Sequence, residues 1–312
     1  MTKRELDSIL KEIQKIPTRW QPGLTKIALK LPEDRKRLLG VRPDEDMLAR
    51  IRKFKLDAPI RRVHRLNRAK KESDSENWDW RNEQGGDWTT PIRDQGDCGS
   101  CVAFGVLATI ESRQKIHVHR SHTAAPNLSE AHLFFCGCGR CCDIGWLVGP
   151  ALNYLQEHGV PPETCFPYRD SNMACSRTCD DWRSRADPNR IENWHHTYDV
   201  AMMKRWLKSE GPLVGVMAVY TDFYYYVGGI YEYVWGSREG YHCIAVVGFS
   251  DDQEYWICKN SWGTDWGERG GEGNMRGWFR IGYGESGLEG FGMWSPILPV
   301  MIVVPQLHAL LY

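Results

Sequence analysis

The stretch Gln95–Cys101, with the sequence QGDCGSC, runs directly into an apolar pattern in which Phe104, Leu107 and Ile110 recur at helical spacing. Cys101 therefore lies at the amino terminus of a predicted helix, where unpaired backbone N–H groups and the helix dipole favour a thiolate. The glycines just ahead of it allow a substrate backbone to approach closely. The stretch predicts a nucleophilic cysteine at the start of a helix.

Two residues far along the chain can complete this chemistry. A thiolate that attacks a carbonyl group needs a proton donor for the departing amine and hydrogen-bond donors for the oxyanion. His242 begins one apolar strand pattern, and Asn260 follows the next. If these strands are antiparallel neighbours, Asn260 can orient the imidazole of His242. The side-chain amide of Gln95 and the backbone N–H of Cys101 are the candidate oxyanion donors.

The order of the predicted elements gives the fold class. Helical patterns with terminal stop signals come first, at residues 103–117, 150–158 and 200–209. Short apolar strand patterns separated by turns follow, at residues 213–219, 243–249, 255–259 and 278–281. Helices followed by strands are typical of an α+β protein with a helical lobe and a sheet lobe. A cleft between two lobes is a usual place for an active site.

A set of motifs, all in the same order, makes residues 78–298 resemble the papain and cathepsin family of cysteine peptidases. The motifs are QGDCGSC at 95–101, NLSE at 127–130, FPY at 166–168, GGIY at 228–231, His242 with its apolar strand, and KNSWGTDWG at 259–267. The separation of about 140 residues between Cys101 and His242 is also close to that of the family. The resemblance implies a two-lobed papain-like fold, in which a helical lobe and an antiparallel β-barrel-like lobe enclose the active-site cleft.

The resemblance also implies a role for each site residue in a thiol endopeptidase that needs no cofactor. Cys101 is then the nucleophile, His242 the general acid and base, and Asn260 the group that orients His242. Gln95 is the oxyanion donor. Trp262 shields the hydrogen bond between His242 and Asn260 and lines the side of the cleft where the leaving group of the substrate lies. By analogy with papain, the resemblance implies a thiolate–imidazolium ion pair at rest.

The resemblance further implies where a protein or peptide substrate binds. Gly145 matches the glycine whose backbone pairs with an extended substrate. Trp146 and Leu147 are expected to form the wall of the principal pocket, and Phe291 its floor. Cys243 stands beside the base near this pocket, where a small alanine is usual, and is most simply a buried small hydrophobe. An apolar floor predicts a preference for an apolar residue at the second position before the cut.

Eleven cysteines, an odd number, leave ten that could pair if one is the reactive thiol. This density indicates an oxidising compartment, either secreted or lysosome- or vacuole-like. The resemblance implies disulfides between Cys98 and Cys142 and between Cys136 and Cys175. Six cysteines stay open to 15 pairings: Cys138, Cys141, Cys165, Cys179, Cys243 and Cys258. The pair at 138 and 141 has the spacing of half a zinc site, but no second half follows, so we expect no metal.

Charge and hydropathy exclude some classes of partner. The 40 basic residues equal the 40 acidic ones, which gives no reason to expect nucleic acid or an anionic membrane as a partner. No apolar run approaches the roughly 20 residues needed to span a bilayer. The amino terminus shows no long apolar stretch of signal-peptide type. Either a leader lies outside this sequence or export takes another route.

Residues 1–75 differ in composition from the rest and contain no cysteine. Apolar residues recur at helical spacing within 6–16 and again within 47–54. The polar run at 70–76 is a suitable boundary or cleavage region. We expect residues 1–75 to be an inhibitory propeptide that blocks the cleft of a peptidase domain at 76–312. A regulatory or docking domain is the alternative.

Three other interpretations were weighed against an endopeptidase. The adjacent His195 and His196 resemble the pair with which cathepsin B captures a substrate carboxylate, but neighbours in a strand point to opposite faces. We therefore expect a structural role for them and no exopeptidase activity. A peptide ligase or cyclase on the same fold, which would resolve the thioester with an amine, stays open. A catalytically silent binding homologue is disfavoured because all four catalytic residues are present.

Overall fold

The computed structural model describes residues 2–15, 18–55, 75–118, 126–269 and 275–299. The α-helices in these ranges are α1 (Thr2–Lys15), α2 (Pro32–Arg37), α3 (Glu45–Phe54), α4 (Cys101–His117), α5 (Val148–His158), α6 (Trp182–Ala186) and α7 (Val200–Ser209). The strands are β1 (Trp20–Pro22), β2 (Asn77–Asp79), β3 (Asn193–Thr197), β4 (Leu213–Tyr220), β5 (Tyr226–Tyr231), β6 (Arg238–Ser250), β7 (Tyr255–Lys259), β8 (Trp278–Gly282) and β9 (Met293–Ile297). None of the described helices is long and apolar enough to cross a membrane.

Helix α4 is the central element of the helical lobe. It is buried along most of its length, including charged residues in its second half, and it packs against α5 and against strands β4 and β6. A helix that is apolar on all sides belongs in an interior. The buried Arg113 is compensated by the carbonyl of Pro212 at 2.8 Å and by the hydroxyl of Ser295 at 2.9 Å. Helix α4 therefore ties the helical lobe to the sheet.

The described strands form a mixed sheet in the order β1-β5-β8-β7-β6-β4-β9-β3, with β2 paired to β6. Neighbouring strands are antiparallel apart from β5 and β8. The predicted neighbour relation between the strands of His242 and Asn260 is confirmed. Ala245 of β6 lies opposite Lys259 of β7, so Asn260 emerges next to the cleft end of β6.

Two apolar cores confirm the predicted α+β architecture with a helical and a sheet lobe. The sheet-lobe core is rich in aromatic residues, including the fully buried Trp256 and Trp266. The helical-lobe core surrounds α4 and includes Leu107 and Phe134. The α4 thiol at Cys101 lies in the second core, whereas the shielding indole of Trp262 lies in the first. Cys101 and Trp262 thus belong to different cores.

Four disulfides lie in the described helical lobe. Cys98–Cys142 and Cys136–Cys175 are those implied by the resemblance. Cys138–Cys141 and Cys165–Cys179 resolve part of the open set. The sequence allowed ten cysteines to pair, but only eight do in the structure. Cys243 and Cys258 are buried thiols, as is Cys101. The spacing at 138 and 141 thus belongs to a short disulfide.

The amino-terminal segment packs on the outside of both lobes. Its helix α1 is fixed by Glu5, whose carboxylate Oε2 accepts hydrogen bonds from Arg35 at 3.0 Å and from the hydroxyl of Tyr225 at 2.6 Å. Arg35 is only 3% exposed and also donates to the carbonyl of Ala28 at 2.8 Å. The contacts of Glu5 with Arg35 and Tyr225 therefore connect α1, α2 and the sheet lobe. The predicted cleavage region at 70–76 lies, up to residue 74, outside the described residues.

Candidate active site

Cys101 is the first residue of α4 and is fully buried. The loop ahead of it is held by Tyr168, whose hydroxyl donates to the carbonyl of Gln95 at 2.8 Å and lies 2.6 Å from the hydroxyl of Ser100. The Cys98–Cys142 disulfide fixes the same loop from the other side. These contacts hold the thiol at the helix amino terminus, as the sequence predicts.

His242 and Asn260 form a buried hydrogen bond of 2.7 Å between the imidazole Nε2 and the amide Oδ1. Because Oδ1 is an acceptor, Nε2 carries the proton in neutral His242, and Nδ1 is left as the base. Among the described residues Nδ1 has no hydrogen-bond partner. The ring of Trp262 lies 4.8 Å from the imidazole and excludes water from this pair.

Gln95 holds a carbonyl group in the position where an oxyanion would be bound. Its side-chain Nε2 donates to the carbonyl oxygens of Leu38 at 3.1 Å and Cys98 at 2.8 Å. The hydroxyl of Ser261 donates to Gln95 Oε1 at 2.7 Å and thereby fixes the amide orientation. The donor predicted for the oxyanion is thus engaged with the carbonyl of Leu38, which belongs to the amino-terminal segment.

Residues 38–42 cover the cleft, beginning with Leu38 at the end of α2 and continuing alongside Trp146. The backbone N–H of Trp146 donates to the carbonyl of Gly40 at 2.8 Å, and the N–H of Arg42 donates to the carbonyl of Trp146 at 3.0 Å. Val41 and Trp146 form a parallel bridge. A Cβ atom at Gly40 would lie 1.8 Å from the carbonyl oxygen of Gly99. Only glycine allows the segment to lie this close to the catalytic loop.

The predicted substrate-binding residues are only partly brought together. Leu147 and Phe291 line one cavity of about 270 Å³, as predicted for wall and floor. Trp146 contributes its backbone to the pairing with residues 38–42, and its ring packs toward Phe134 at 6.3 Å. The backbone N–H of Gly145 does not pair with residues 38–42, since it donates within its own loop to the carbonyl of Cys141.

Cys243 is not among the residues that line this cavity, although it lies directly opposite Val216 of β4, which does line it. Its sulfur is 2.8 Å from where a Cβ of Gly105 would stand, so it points at helix α4. It lines a separate cavity of about 10 Å³ together with Glu130 and Lys259. Directly opposed residues of antiparallel strands point to the same face, so Cys243 shares a face with Val216, and its position near the pocket stays a prediction.

Sequence reasoning missed several residues of the site. Val216, His196 and Trp294 also line the 270 Å³ cavity, together with residues of the amino-terminal segment such as Met47 and Arg50. They come from strands β4, β3 and β9, and the sequence pattern contains no signal for the pairing of β3 with β9. Tyr168 belongs to the FPY motif, so its presence was signalled but its role in holding the loop of Gln95 was not.

Burial sets the protonation states of the catalytic pair. It raises the pKa of the Cys101 thiol to about 11, although backbone hydrogen bonds around the sulfur act in the opposite direction. It lowers the pKa of His242 to about 4, against the effect of the hydrogen bond to Asn260. With residues 38–42 in place, a neutral thiol and a neutral imidazole are therefore favoured. Burial of both side chains thus disfavours, in the uncut chain, the resting ion pair that the resemblance implies.

The two adjacent histidines occupy strand β3 and point to opposite faces. His195 stacks on Trp206 with ring centroids 5.8 Å apart, and His196 stacks on Trp294 at 4.1 Å. The two imidazoles therefore have different stacking partners.

Comparison with known families matches residues 75–289 to the papain family of cysteine proteases. This chain belongs to that family. Cathepsin B-like CP2 of Giardia intestinalis is 33% identical over 188 residues, which cover 57% of this chain and 62% of that protein. Cathepsin B-like CP1 of the same organism is 29% identical over 277 residues, covering 84% and 86%. The chain thus spans about 62% of the length of the first of these relatives.

Solved structures of papain-family proforms share the fold. The proCathepsin B S9 from Trypanosoma congolense has a TM-score of 0.70 and 25% identity, with 95% of this chain and 98% of that chain covered. The digestive procathepsin L2 of Tenebrio molitor has a TM-score of 0.71 and 23% identity, covering 95% and 91%. The similarity extends over nearly the whole of this papain-family chain.

Proposed function

We propose that this chain is a thiol-dependent endopeptidase that is made as a zymogen. The observation that carries the proposal is the arrangement around Leu38. Its carbonyl lies on the amide of Gln95, beside Cys101 and the His242–Asn260 pair, where the carbonyl of a cleaved peptide bond would lie. The four side chains therefore match the requirements of acyl transfer to sulfur.

The reaction uses each group in turn. Nδ1 of His242 takes the proton of Cys101, and the thiolate attacks the carbonyl carbon of the peptide bond. The oxyanion that forms is stabilised by Nε2 of Gln95 and the backbone N–H of Cys101. His242 then gives its proton to the departing amine and leaves a thioester on Cys101. Water, activated by His242, attacks the thioester and regenerates the thiol. Asn260 keeps the imidazole oriented throughout.

The pocket beside the cleft supports a preference for an apolar residue at the second position before the cut. Val41 of the covering segment is 6% exposed and contributes to the cavity lined by Leu147 and Phe291. The segment therefore offers this pocket an apolar side chain of the kind proposed for substrates. Profiling the cleaved protein with a peptide library tests this preference.

The zymogen proposal rests on residues 1–75, with the peptidase domain at 76–312. Leu38 and Gly40 hold hydrogen bonds that a substrate needs, so the uncut chain should be nearly inactive. The test is hydrolysis of a fluorogenic peptide before and after cleavage within 70–76, followed by addition of the isolated 1–75 peptide. A Cys101→Ala preparation controls for contaminating proteases. Full activity before cleavage together with no inhibition by the peptide would refute the zymogen proposal.

Product analysis separates the hydrolase from its alternatives. Incubation of the cleaved protein with a substrate and an added amine shows whether water or amine resolves the thioester. Mainly aminolysed product would identify a ligase or cyclase, and absence of turnover would identify a silent binding homologue. The four disulfides fit an oxidising compartment, and we propose a secreted or lysosome- or vacuole-like location. Microscopy of the tagged protein tests the location.

A further inference from the structure

Residues 18–25 attach the amino-terminal segment to a surface separate from the covered cleft. Strand β1 pairs antiparallel with β5, and Trp20 lies opposite Gly229. The N–H of Ile230 donates to the carbonyl of Arg19 at 2.9 Å. A Cβ atom at Gly229 would lie 2.3 Å from that carbonyl oxygen, so the two backbones approach as closely as glycine permits. The surface is shaped for an extended strand.

A pocket of aromatic side chains beneath this strand accepts one tryptophan. Trp20 is 3% exposed and lies 5.4 Å from the ring of Tyr231 and 6.3 Å from that of Tyr226. Arg19, next to it, places its Nη2 3.0 Å from the carboxylate of Glu232. The surface therefore recognises three features together, which are an extended backbone, a tryptophan and a preceding basic residue.

This surface is continuous with one side of the catalytic cleft. Tyr226 lies 5.6 Å from Trp266, which in turn lies 5.0 Å from Trp262. Trp262 covers His242 at 4.8 Å. By the family resemblance, Trp262 lines the leaving-group side. These three rings are buried, so the contacts join the aromatic pocket to the Trp262 side of the cleft through the core of the sheet lobe.

Removal of the amino-terminal segment uncovers this surface. Strand β1 lies at the edge of the described sheet, so its loss makes β5 the edge strand. An edge strand presents unpaired N–H and C=O groups that bind another extended chain. The aromatic pocket of Tyr226 and Tyr231 loses its cover in the same step. Backbone recognition and side-chain recognition thus become available together.

We propose that in the cleaved enzyme this surface, defined by β5 with Tyr226, Tyr231 and Glu232, is a docking site for protein substrates. Its ligand is an extended segment with a basic residue followed by tryptophan, located after the cleaved bond. The proposal goes beyond the endopeptidase function and rests on it. Docking adds binding energy away from the reacting bond, so it lowers KM and leaves kcat unchanged.

The test uses the full chain after cleavage within 70–76 and two fluorogenic substrates. The first is a short peptide. The second is the same peptide extended on its leaving-group side by a flexible Gly/Ser linker of about 20 residues and the sequence TRWQPGLT of residues 18–25. The matched control carries Ala in place of Trp in that extension. Since all variants are in the substrate, folding of the enzyme is not at stake.

We expect the extension to lower KM by about tenfold or more at unchanged kcat, and the Trp→Ala extension to lose most of this gain. A free peptide of residues 18–31 should return KM of the extended substrate to that of the short one, without slowing turnover of the short one. Equal KM values for the extended substrate and its Trp→Ala control would overturn the docking site. Equal inhibition of the extended and the short substrate by the free 18–31 peptide would also overturn it. Loss of short-substrate turnover contradicts the endopeptidase proposal instead.

Discussion

Replacement of Gly40 by alanine should release the block without any cleavage. A Cβ at this position would lie 1.8 Å from the carbonyl oxygen of Gly99 and 2.7 Å from its Cα, and both belong to the backbone of the catalytic loop. Real Cβ atoms do not come within 3.0 Å of such atoms. The segment must therefore move away by more than 1 Å, since the loop is held by the Cys98–Cys142 disulfide.

The size of the effect follows from the contacts that this movement breaks. The hydrogen bonds from Trp146 N–H to Gly40 and from Gln95 to Leu38 are lost, at about 1 kcal/mol each. Partial exposure of Val41 costs about 1–2 kcal/mol more. A total of about 3–4 kcal/mol raises the population of the uncovered state by roughly 100- to 1,000-fold.

The assay is hydrolysis of a fluorogenic peptide by the uncut chain, with a Gly40→Ala, Cys101→Ala double variant to report any contaminating protease. Gly23→Ala is the matched control, because Gly23 lies in the same amino-terminal segment and its Cβ would meet only the side chain of Val227, at 3.1 Å. We expect strong activity from Gly40→Ala and little from Gly23→Ala. If Gly40→Ala is folded, uncut and as inactive as the parent chain, residues 38–42 do not block the site as described.

Four further predictions concern single residues. Asn260→Ala removes the acceptor for His242 Nε2 and should lower kcat of the cleaved enzyme by about 10- to 100-fold with little change in KM; an unchanged kcat would contradict its orienting role. Phe291→Glu should raise the relative turnover of substrates with Arg at the second position before the cut, and an unaltered preference would show that Phe291 does not contact that residue. Iodoacetamide should label Cys101 slowly in the uncut chain and rapidly after cleavage, because burial raises the pKa of its thiol to about 11. The measurement is mass mapping of the labelled cysteine over time. Equal labelling rates before and after cleavage, or inactivation through labelling of Cys243, would contradict the role of Cys101 as the covered nucleophile. Burial lowers the pKa of His132 to about 4 from 6.5, so below pH 6.5 the unfolded state binds a proton that the folded state does not. The free energy of unfolding should therefore fall by up to about 3 kcal/mol as pH drops from about 6.5 towards 4. Denaturant unfolding of His132→Phe should show a smaller loss across that window, and an identical loss would show that His132 does not cause it.

The sequence predicts elements best where their end signals are local. Helix α7 has the predicted bounds because Asp199 caps it, accepting from the N–H groups of Ala201 and Met202, and Gly211 follows its end. Strand β6 begins at Arg238, five residues before the predicted start, because its first residues pair with the end of β4 at the rim of the sheet. The sequence pattern missed these residues because they are mostly polar. Apolar patterning does not mark such a half-exposed strand.

The candidate catalytic residues were found because their chemistry is concentrated in motifs, whereas most of the pocket lining was not. Its lining comes from strands that are distant in sequence, such as Val216 in β4 and Trp294 in β9, and only tertiary pairing brings them together. The placement of Cys243 near the pocket came from the family resemblance, and its position opposite Val216 of β4 is compatible with that placement. The complete disulfide pairing was out of reach because six cysteines allow 15 combinations.

The covered thiol has a consequence for how the protein matures. Cys101 lies three residues from the Cys98–Cys142 disulfide, on the same loop. Thiol–disulfide exchange requires a thiolate, and burial raises the pKa of the Cys101 thiol to about 11, which favours its protonated form at neutral pH. The segment that closes the cleft therefore also keeps the nucleophile from attacking the neighbouring disulfide. Four crosslinks and one reactive thiol can form in the same oxidising environment without exchanging partners.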